Sequence, residues 1–294
     1  MPFLAPPTER AWSDDLGSNA LSHEKSVSAT PARVLLSRRM SGSAFDHPRI
    51  ASLYDALDPD RSDLDFYLQL LEEIGARSVV DIGCGTGVFA LLLAAKGIDV
   101  VGVDPAGAML DVARAKPGAE KVRWVHGYAA DLPPMEVDAV TMTANTAQVF
   151  VTDVDWEETL AVCHRISRPG GSLLFETRGP APRPWESWAA YRGTTEVEGV
   201  GPVTEWYEIV EVTDGLVTFD AHNLLPDGED VVARSTLRFR SREELDRSLA
   251  AAGFEVVAIH DPPDRPGLEW LHHARKAGTA VISSVFLVDV SYVR

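Results

Sequence analysis

The chain has 294 residues, of which 45% are hydrophobic, and its formal net charge at pH 7 is −17. This length suits one large domain, or one domain with a substantial insertion, and the apolar content is sufficient for a buried core. The acidic balance argues against nucleic acids and anionic membrane surfaces as main partners, because both attract cationic proteins. The two cysteines lie far apart and no signal peptide is apparent, so we expect a cytoplasmic protein without disulfides.

The first 40 residues are rich in Ser, Pro and Ala and lack a sustained hydrophobic period. We expect residues 1–40 to form a disordered leader, unless Met40 is the true start of the protein. Ordered structure should begin at Phe45, with a first helix up to Leu57. A second helix is expected from Ser62 to Gly75, because Ser is a good N-cap and Gly commonly ends helices.

The most informative stretch, residues 79–87, reads Val-Val-Asp-Ile-Gly-Cys-Gly-Thr-Gly. It predicts a buried strand followed by a glycine loop, and residues 88–95 then predict a helix that stops at Gly97. Glycine suits such a loop because the backbone takes positive φ values and approaches a ligand closely. The next strand, residues 99–103, ends in Asp104, about 20 residues after the loop, where a carboxylate can bind both ribose hydroxyls.

Asp81 ends the first strand, whereas phosphate-binding loops usually provide a lysine or free amides. An acid at this position repels pyrophosphate and suits a ligand that carries an amine and a sulfonium. At residues 81–104 the chain resembles the class I S-adenosylmethionine-dependent methyltransferases, whose first motif is an acid followed by G-x-G-x-G. A nicotinamide-dependent oxidoreductase is the alternative, although its G-x-G-x-x-G spacing is absent.

The resemblance implies an α/β, Rossmann-like fold with a mostly parallel seven-stranded sheet and helices on both faces. It also implies that S-adenosylmethionine is the cofactor. The expected core comprises residues 41–178 and 241–294, and residues 179–240 form an insertion. The resemblance and the positions of the expected strand ends together nominate these cofactor-binding residues: Asp81, Gly83, Cys84, Gly85, Gly87, Asp104, Pro105, Met109, Tyr128, Ala129, Asp131 and Asn145.

The loop after the third expected strand departs from the family pattern. Family members often place an acid just after the glycine that corresponds to Gly127, and this acid binds the adenine amino group. Here Tyr128 occupies that place and Asp131 follows three residues later. Either Asp131 or a backbone carbonyl binds the amino group, or stacking holds the adenine. Asp131 could equally be an ordinary turn or helix-cap residue.

The fourth expected strand, residues 137–143, leads into a loop that contains Asn145 and Gln148. Ligands of open α/β sheets bind at the carboxyl ends of the strands, so these amides should lie near the transferred methyl group. They would hold the methionine part of the cofactor or orient the acceptor. The alternative is that they only brace the loop.

A helix over residues 153–167 and a fifth strand over residues 172–178 follow, after which the sequence changes character. Alternating apolar and polar segments are interrupted by two Asp-Gly pairs, a pattern typical of β-hairpins. We expect an antiparallel sheet of three or four strands that covers the active-site crevice, or that forms a homodimer interface. The alternating segments are residues 194–198, 203–212, 216–224 and 231–240.

Several side chains are candidates for contact with an acceptor, although each could instead pack the insertion onto the core. Trp206 and Tyr207 point to opposite faces of a strand, so at most one of them faces the pocket. No motif identifies a general base, and His126 and Glu205 are nominated by position only. The candidate substrate contacts are Tyr54, which would act as a lid, and Gln148, Arg178, Trp185 and Trp206.

The chain should return to the core with a capped helix over residues 242–252 and a sixth strand over residues 254–259. Two stretches compete for the antiparallel seventh strand, residues 268–275 and the more strand-like residues 279–290. His272 and His273 are adjacent, but nearby cysteines and an H-E-x-x-H pattern are lacking. We therefore expect no metal site.

The sequence thus favours an enzyme that transfers methyl from S-adenosylmethionine to a small-molecule acceptor, at nitrogen or oxygen rather than carbon or sulfur. The expected partner is this small molecule, and we expect neither nucleic acid nor a membrane as a partner. A homodimer that forms through the insertion is an open alternative. A non-catalytic S-adenosylmethionine-binding regulatory protein is a second hypothesis, because a fold does not fix its chemistry. The nicotinamide-dependent oxidoreductase is a third.

Overall fold

A computed structural model describes residues 44–180, 183–263 and 265–278. The expectations for residues 1–40, including the alternative start at Met40, lie outside these ranges. The expectation of a strand over residues 279–290 lies outside them as well. Within the described residues, no helix is both long enough and apolar enough to cross a bilayer.

Two sheets and seven α-helices make up the described fold, with helices before, between and after the strands of the larger sheet. The strands are β1 (Ser78–Ile82), β2 (Asp99–Asp104), β3 (Val122–His126), β4 (Val137–Met142), β5 (Ser167–Thr177), β6 (Arg192–Val197), β7 (Gly201–Thr213), β8 (Leu216–Leu224), β9 (Asp230–Arg238), β10 (Phe254–His260) and β11 (Trp270–Lys276). The helices are α1 (Pro48–Leu57), α2 (Asp63–Glu73), α3 (Val88–Ala95), α4 (Gly107–Ala115), α5 (Asp153–Ile166), α6 (Trp185–Trp188) and α7 (Arg242–Ala251).

The larger sheet has the strand order β10-β11-β5-β4-β1-β2-β3. Strands β1 to β5 are parallel, whereas β11 runs antiparallel to both β5 and β10. The central strands are apolar because both faces of the sheet are covered, and Val79, Val80, Ala139 and Val140 are completely buried. Helices α2 and α3 pack on one face, and helices α5 and α7 pack on the other. The expected Rossmann-like fold is therefore confirmed.

The seventh strand of the sheet is β11, which corresponds to the first of the two competing stretches. Composition favoured residues 279–290, but pairing with β5 and β10 on either side makes Trp270–Lys276 the strand. His272 stacks on Phe175 with ring centroids 4.7 Å apart, and His273 Nε2 lies 3.0 Å from Ser172 Oγ. Both histidines are thus core residues, and the described residues contain no cluster of three or more potential metal-ligating side chains.

The insertion forms a second sheet, which we call the cap, with the antiparallel order β6-β7-β8-β9. Asp214 and Gly215 have φ values of 51° and 76° and form the β7–β8 turn, as expected for an Asp-Gly hairpin. Along β8 the residues alternate between buried and half-buried, so only one face of the cap is fully covered. That inner face packs on Ala144 and Val149, which follow β4. The cap therefore stands at the carboxyl edge of the larger sheet.

Candidate functional site

The glycine loop between β1 and α3 has a backbone that only glycine tolerates at two of its positions. Gly83 and Gly87 have φ values of 73° and 76°, in the left-handed region. A Cβ atom on Gly83 would lie 2.5 Å from the Thr146 side chain, and one on Gly87 would lie 2.5 Å from Trp124. The alternating glycines thus let the loop pass between the β2–β3 edge and the segment after β4.

Asp104, the last residue of β2, links this loop to the start of α4. One carboxylate oxygen accepts a hydrogen bond from Gly85 N at 2.9 Å, and the other accepts from Ala106 N at 2.8 Å. The side chain is buried, and this burial raises the pKa of the carboxyl. Each oxygen retains a second lone pair, so the carboxylate can still accept hydrogen bonds from a ligand diol.

Asp81 lies in β1 at the base of the loop and is 1% exposed. Its Oδ1 accepts a hydrogen bond from Thr141 Oγ1 at 2.8 Å, whereas Oδ2 has no partner among the residues that the structure describes. Burial raises the pKa of this carboxyl to about 7. A buried carboxylate oxygen without a partner is unusual, and a cationic ligand group would satisfy it.

A cavity of about 340 Å³ is lined by Asp104, whereas Asp81 lies next to the lining residue Ile82 and does not line the cavity itself. It extends from the glycine loop and the end of β2 to α1, the turn after β3 and the segment after β4. Many of the nominated residues line it, namely Gly83, Gly85, Asp104, Pro105, Met109, Tyr128, Ala129 and the lid candidate Tyr54. Sequence reasoning missed other parts of its wall, including Phe45, Asp46, Thr146, Val149, Phe150 and Thr159. No local pattern marks these residues, because only the packing of separate elements brings them to the cavity.

Three nominated cofactor residues contribute no side chain to the cavity. The Cys84 side chain packs against Gly102 of β2, and Gly87 abuts Trp124, so only their backbones belong to the loop surface. Asp131 Oδ2 accepts a hydrogen bond from Tyr128 N at 2.8 Å and caps its own turn. The turn-cap interpretation of Asp131 therefore describes its side chain, and Tyr128 forms the cavity wall instead.

Asn145 and Gln148 brace the segment after β4 rather than lining the cavity. Asn145 has a φ of 56°, and its side chain turns inward so that Nδ2 donates to Glu269 Oε1 at 2.9 Å. Gln148 Nε2 donates to Arg238 O of the cap, and Gln148 Oε1 accepts from Arg178 N, both at 3.4 Å. Neither amide lines the cavity, and Asn145 Oδ1 has no partner among the described residues, so a contact of these amides with the methyl group stays a prediction.

Three acceptor candidates also lie away from the cavity. Arg178 is buried and forms an ion pair with Glu269 at 2.6 Å. Trp185 packs edge-on against Phe239 inside the cap, with ring centroids 4.9 Å apart. Trp206 lies on the outer face of the cap, where it stacks on a histidine at 4.5 Å and beneath an arginine. None of the three lines the cavity, so their contact with an acceptor stays a prediction.

The two nominated bases differ in their surroundings. His126 is exposed at the end of β3, and its Nε2 lies 3.1 Å from Pro105 O. Glu205 is only 3% exposed and lies on the inner face of the cap. Burial, followed by the charge of Asp58, raises the pKa of the Glu205 carboxyl to about 7. Glu205 is therefore the nominee whose proton can exchange near neutral pH.

Comparison with known proteins identifies the family. The family model of the methyltransferase domain matches residues 79–171, which run from β1 into β5. The demethylmenaquinone methyltransferase of Thermus thermophilus is 30% identical over 197 residues, which cover 64% of this chain and 79% of that protein. The chain belongs to the S-adenosylmethionine-dependent methyltransferases. The cofactor of this methyltransferase is therefore S-adenosylmethionine, and the nicotinamide-dependent and non-catalytic alternatives are set aside.

Solved structures agree with the fold of the methyltransferase. The CcbJ methyltransferase from Streptomyces caelestis superposes with a TM-score of 0.65 at 24% identity, covering 81% of this chain and 99% of that one. The sugar N-methyltransferase KedS8 from Streptoalloteichus superposes with a TM-score of 0.66 at 19% identity, covering 89% of this chain and 100% of that one. At these identities the likeness establishes the fold alone.

Proposed function

We propose that this methyltransferase acts on a nitrogen or oxygen atom of a small-molecule acceptor that binds between the cofactor and the cap. The observation that carries the proposal is the position of the cap over the cofactor cavity. Ala144, Val149 and Phe45 line the cavity, and the same residues pack against the aromatic cluster of the cap. A site roofed in this way suits a small molecule better than a folded macromolecule.

Four residues would hold the cofactor. Asp81, through its unpartnered Oδ2, would bind the ammonium group of the methionine part, and Asp104 would bind the ribose hydroxyls. Tyr128 and Ala129 form the wall on the side of the adenine. When bound, S-adenosylmethionine supplies a methyl group activated by its sulfonium. The acids fit this cation because their region of the cavity contains no paired lysine or arginine among the described residues.

The remaining task of the protein is to position the acceptor and to exclude water. A nucleophile held in line at near-attack distance gains most of its rate from orientation. Phe45 and Tyr54 pack together, with ring centroids 6.2 Å apart, and close the cavity on the α1 side. An amine acceptor needs only to be neutral, whereas a hydroxyl requires a base.

We also propose that residues 179–240 form the acceptor-enclosing insertion and that residues 41–178 and 241–294 form the catalytic core. Two observations support this division: the two sheets are separate, and the cap has its own aromatic cluster. A homodimer through the cap stays a prediction.

Methyl transfer from labelled S-adenosylmethionine tests the proposed function. The purified protein is incubated with a panel of small amines and alcohols, and separately with protein and nucleic acid extracts. We expect label in a small amine or alcohol, and micromolar-range calorimetric binding of S-adenosylmethionine and its demethylated product. Label that appears only in protein or nucleic acid would contradict the proposal.

A further inference from the structure

The inner face of the cap carries a group of polar side chains within an otherwise apolar surface. Glu205 in β7 pairs with Gly193 of β6 on one side and with Asn223 of β8 on the other. A side chain on Gly193 would collide with the Tyr191 hydroxyl, so this hydroxyl lies beside Glu205. Tyr207, two residues after Glu205, is on the same face. We call Glu205, Asn223, Tyr207 and Tyr191 the cap polar cluster.

The hydrogen-bonding capacity of this cluster is largely unused. The Glu205 carboxylate makes no hydrogen bond or ion pair with the part of the chain that the structure describes. Asn223 is completely buried and donates through Nδ2 to Val231 O at 3.4 Å. Asn223 Oδ1 and Tyr207 Oη have no partner among the described residues. Buried polar groups in folded proteins are nearly always hydrogen-bonded, so several orphans on one face indicate a missing ligand.

The cluster lies on the side of the cap that faces the cofactor. Helix α1 packs against the cap through Leu53 and Leu57, which share an apolar cluster with Val203. The same helix carries Tyr54, which lines the cofactor cavity. Tyr54 and Glu205 are both close enough to Tyr207 to add to the rise in its pKa that burial causes. Tyr54 thus lies both at the cofactor cavity and near the cap polar cluster.

Charged residues of both signs lie near the cluster, because Asp58 forms an ion pair with Arg61 at 3.2 Å. Asp58, at the end of α1, is the charged neighbour that raises the pKa of Glu205 after burial. Arg178 is the nearby cation that affects Tyr207, but it already forms a buried ion pair with Glu269. The cluster itself offers a carboxylate, an amide oxygen and two phenolic oxygens, all of which can accept hydrogen bonds.

We propose that the cap polar cluster binds the amino group of an amine-bearing acceptor. This inference rests on the proposed function and narrows its acceptor class. An ammonium group has three N–H donors and one positive charge, which match the Glu205 carboxylate, Asn223 Oδ1 and a tyrosine oxygen. Transfer of one proton to the Glu205 carboxylate would leave the neutral amine, whose lone pair forms the bond to the methyl group as the methyl–sulfur bond of the cofactor breaks. A hydroxyl group offers a single donor and no charge, and would leave most of the cluster unsatisfied. Specificity for an amine over an alcohol follows from these unpaired groups.

The first experiment compares Glu205→Gln with the wild-type protein. Each primary amine in a panel is paired with the alcohol of the same carbon skeleton, and transfer of labelled methyl is measured. We expect the wild-type protein to prefer amines and the variant to raise the KM for the amine at least tenfold. Calorimetric affinity for S-adenosylmethionine should change less than twofold. Glu208→Gln is the matched control, because Glu208 lies in the same strand with an exposed side chain.

The second experiment uses thermal unfolding without any ligand. Because Glu205 is buried without a partner among the described residues, its replacement by Gln should leave the Tm unchanged or raise it at pH 8. A drop in Tm of several degrees would show a structural role and overturn the inference, as would an unchanged KM for the amine. A wild-type protein that methylates only alcohols also overturns it, while leaving the proposed function intact. Failure of the proposed function is distinct, because label would then enter no small molecule.

Discussion

Two groups of buried acids in this protein differ in whether a cation accompanies them. Behind the cofactor cavity, Glu269 forms ion pairs with Arg178 at 2.6 Å and Arg265 at 3.0 Å. Asp81 and Glu205, in contrast, have no cationic partner among the described residues. The comparison teaches that burial alone does not reveal the role of an acid. A paired acid stabilises its neighbours, whereas an unpaired acid is available to a ligand.

The pKa shifts follow the same division. Burial raises the pKa of Glu269, but Arg178 and Arg265 outweigh this effect and the net pKa is lowered. Burial, followed by the charge of Glu269, raises the pKa of the adjacent Glu176 to about 8. The opposite shifts favour the negative charge on Glu269 and the neutral form of Glu176, whose Oε1 accepts a hydrogen bond from Asn145 N at 3.0 Å.

The largest expected effect is a difference in stability between variants of Glu269 and Glu176. Glu269→Gln leaves Arg178 buried without its partner, and we expect a loss of about 3–5 kcal/mol in the free energy of unfolding at pH 7. Glu176→Gln removes no charge and keeps an acceptor oxygen, so we expect a loss below about 1 kcal/mol. Urea unfolding at pH 7 measures both values. Equal losses would contradict the assignment of the charge to Glu269.

Neutralising an acid that has no cationic partner among the described residues should weaken ligand binding rather than destabilise the fold. Asp81→Asn keeps an oxygen for Thr141, so we expect unchanged stability in the absence of ligand. We also expect roughly tenfold to hundredfold weaker binding of S-adenosylmethionine, because a hydrogen bond to a charged group contributes about 1.5–3 kcal/mol. Calorimetry measures the affinity, and Asp99→Asn at the exposed start of β2 is the control. Unchanged affinity of Asp81→Asn for S-adenosylmethionine would contradict the proposal that Asp81 binds the ammonium group of the cofactor.

The smallest expected effect is a pH dependence that Glu205 imposes on stability. The pKa of its carboxyl is raised from 4.5 to about 7 on folding, so the folded state binds more protons between these pH values. The stabilisation that the protonated Glu205 contributes is therefore fully present below pH 4.5 and is lost as the pH rises through 7. Relative to Glu205→Gln, the wild-type protein should lose about 2–3 kcal/mol between pH 5 and pH 8. Parallel stability curves for the two proteins would show that Glu205 has a partner.

Much of the fold could be predicted from the sequence because its signals are local. The spacing of Gly83, Gly85 and Gly87 after an apolar run predicts the strand, loop and helix that the structure has. The Asp-Gly pair at residues 214–215 predicts the β7–β8 hairpin in the same way. These patterns act through backbone conformation, which neighbouring residues largely decide.

The sequence predicted the acids of the candidate site better than it predicted the residues that form the cavity wall. Asp104 lines the cavity as expected, since the end of a parallel strand fixes its position relative to the loop. Phe150 and Thr159 also line it, but they lie on a loop and a helix whose docking no short pattern encodes. The choice between the two candidates for the seventh strand stayed open for a similar reason, because pairing with β5 and β10 on either side, rather than β propensity, selects Trp270–Lys276.

The sequence by itself determined the glycine loop, the acids near it, the parallel strands and the hairpins of the cap. Only the tertiary structure decided which side chains have partners. Asn145 Nδ2 donates to Glu269, 124 residues away along the chain, whereas Asn145 Oδ1 has no partner among the described residues. Glu205 lies among residues from three strands and a helix, and it has no partner among those described. Contacts between distant residues decide such pairing, because burial removes the water that would otherwise satisfy each group.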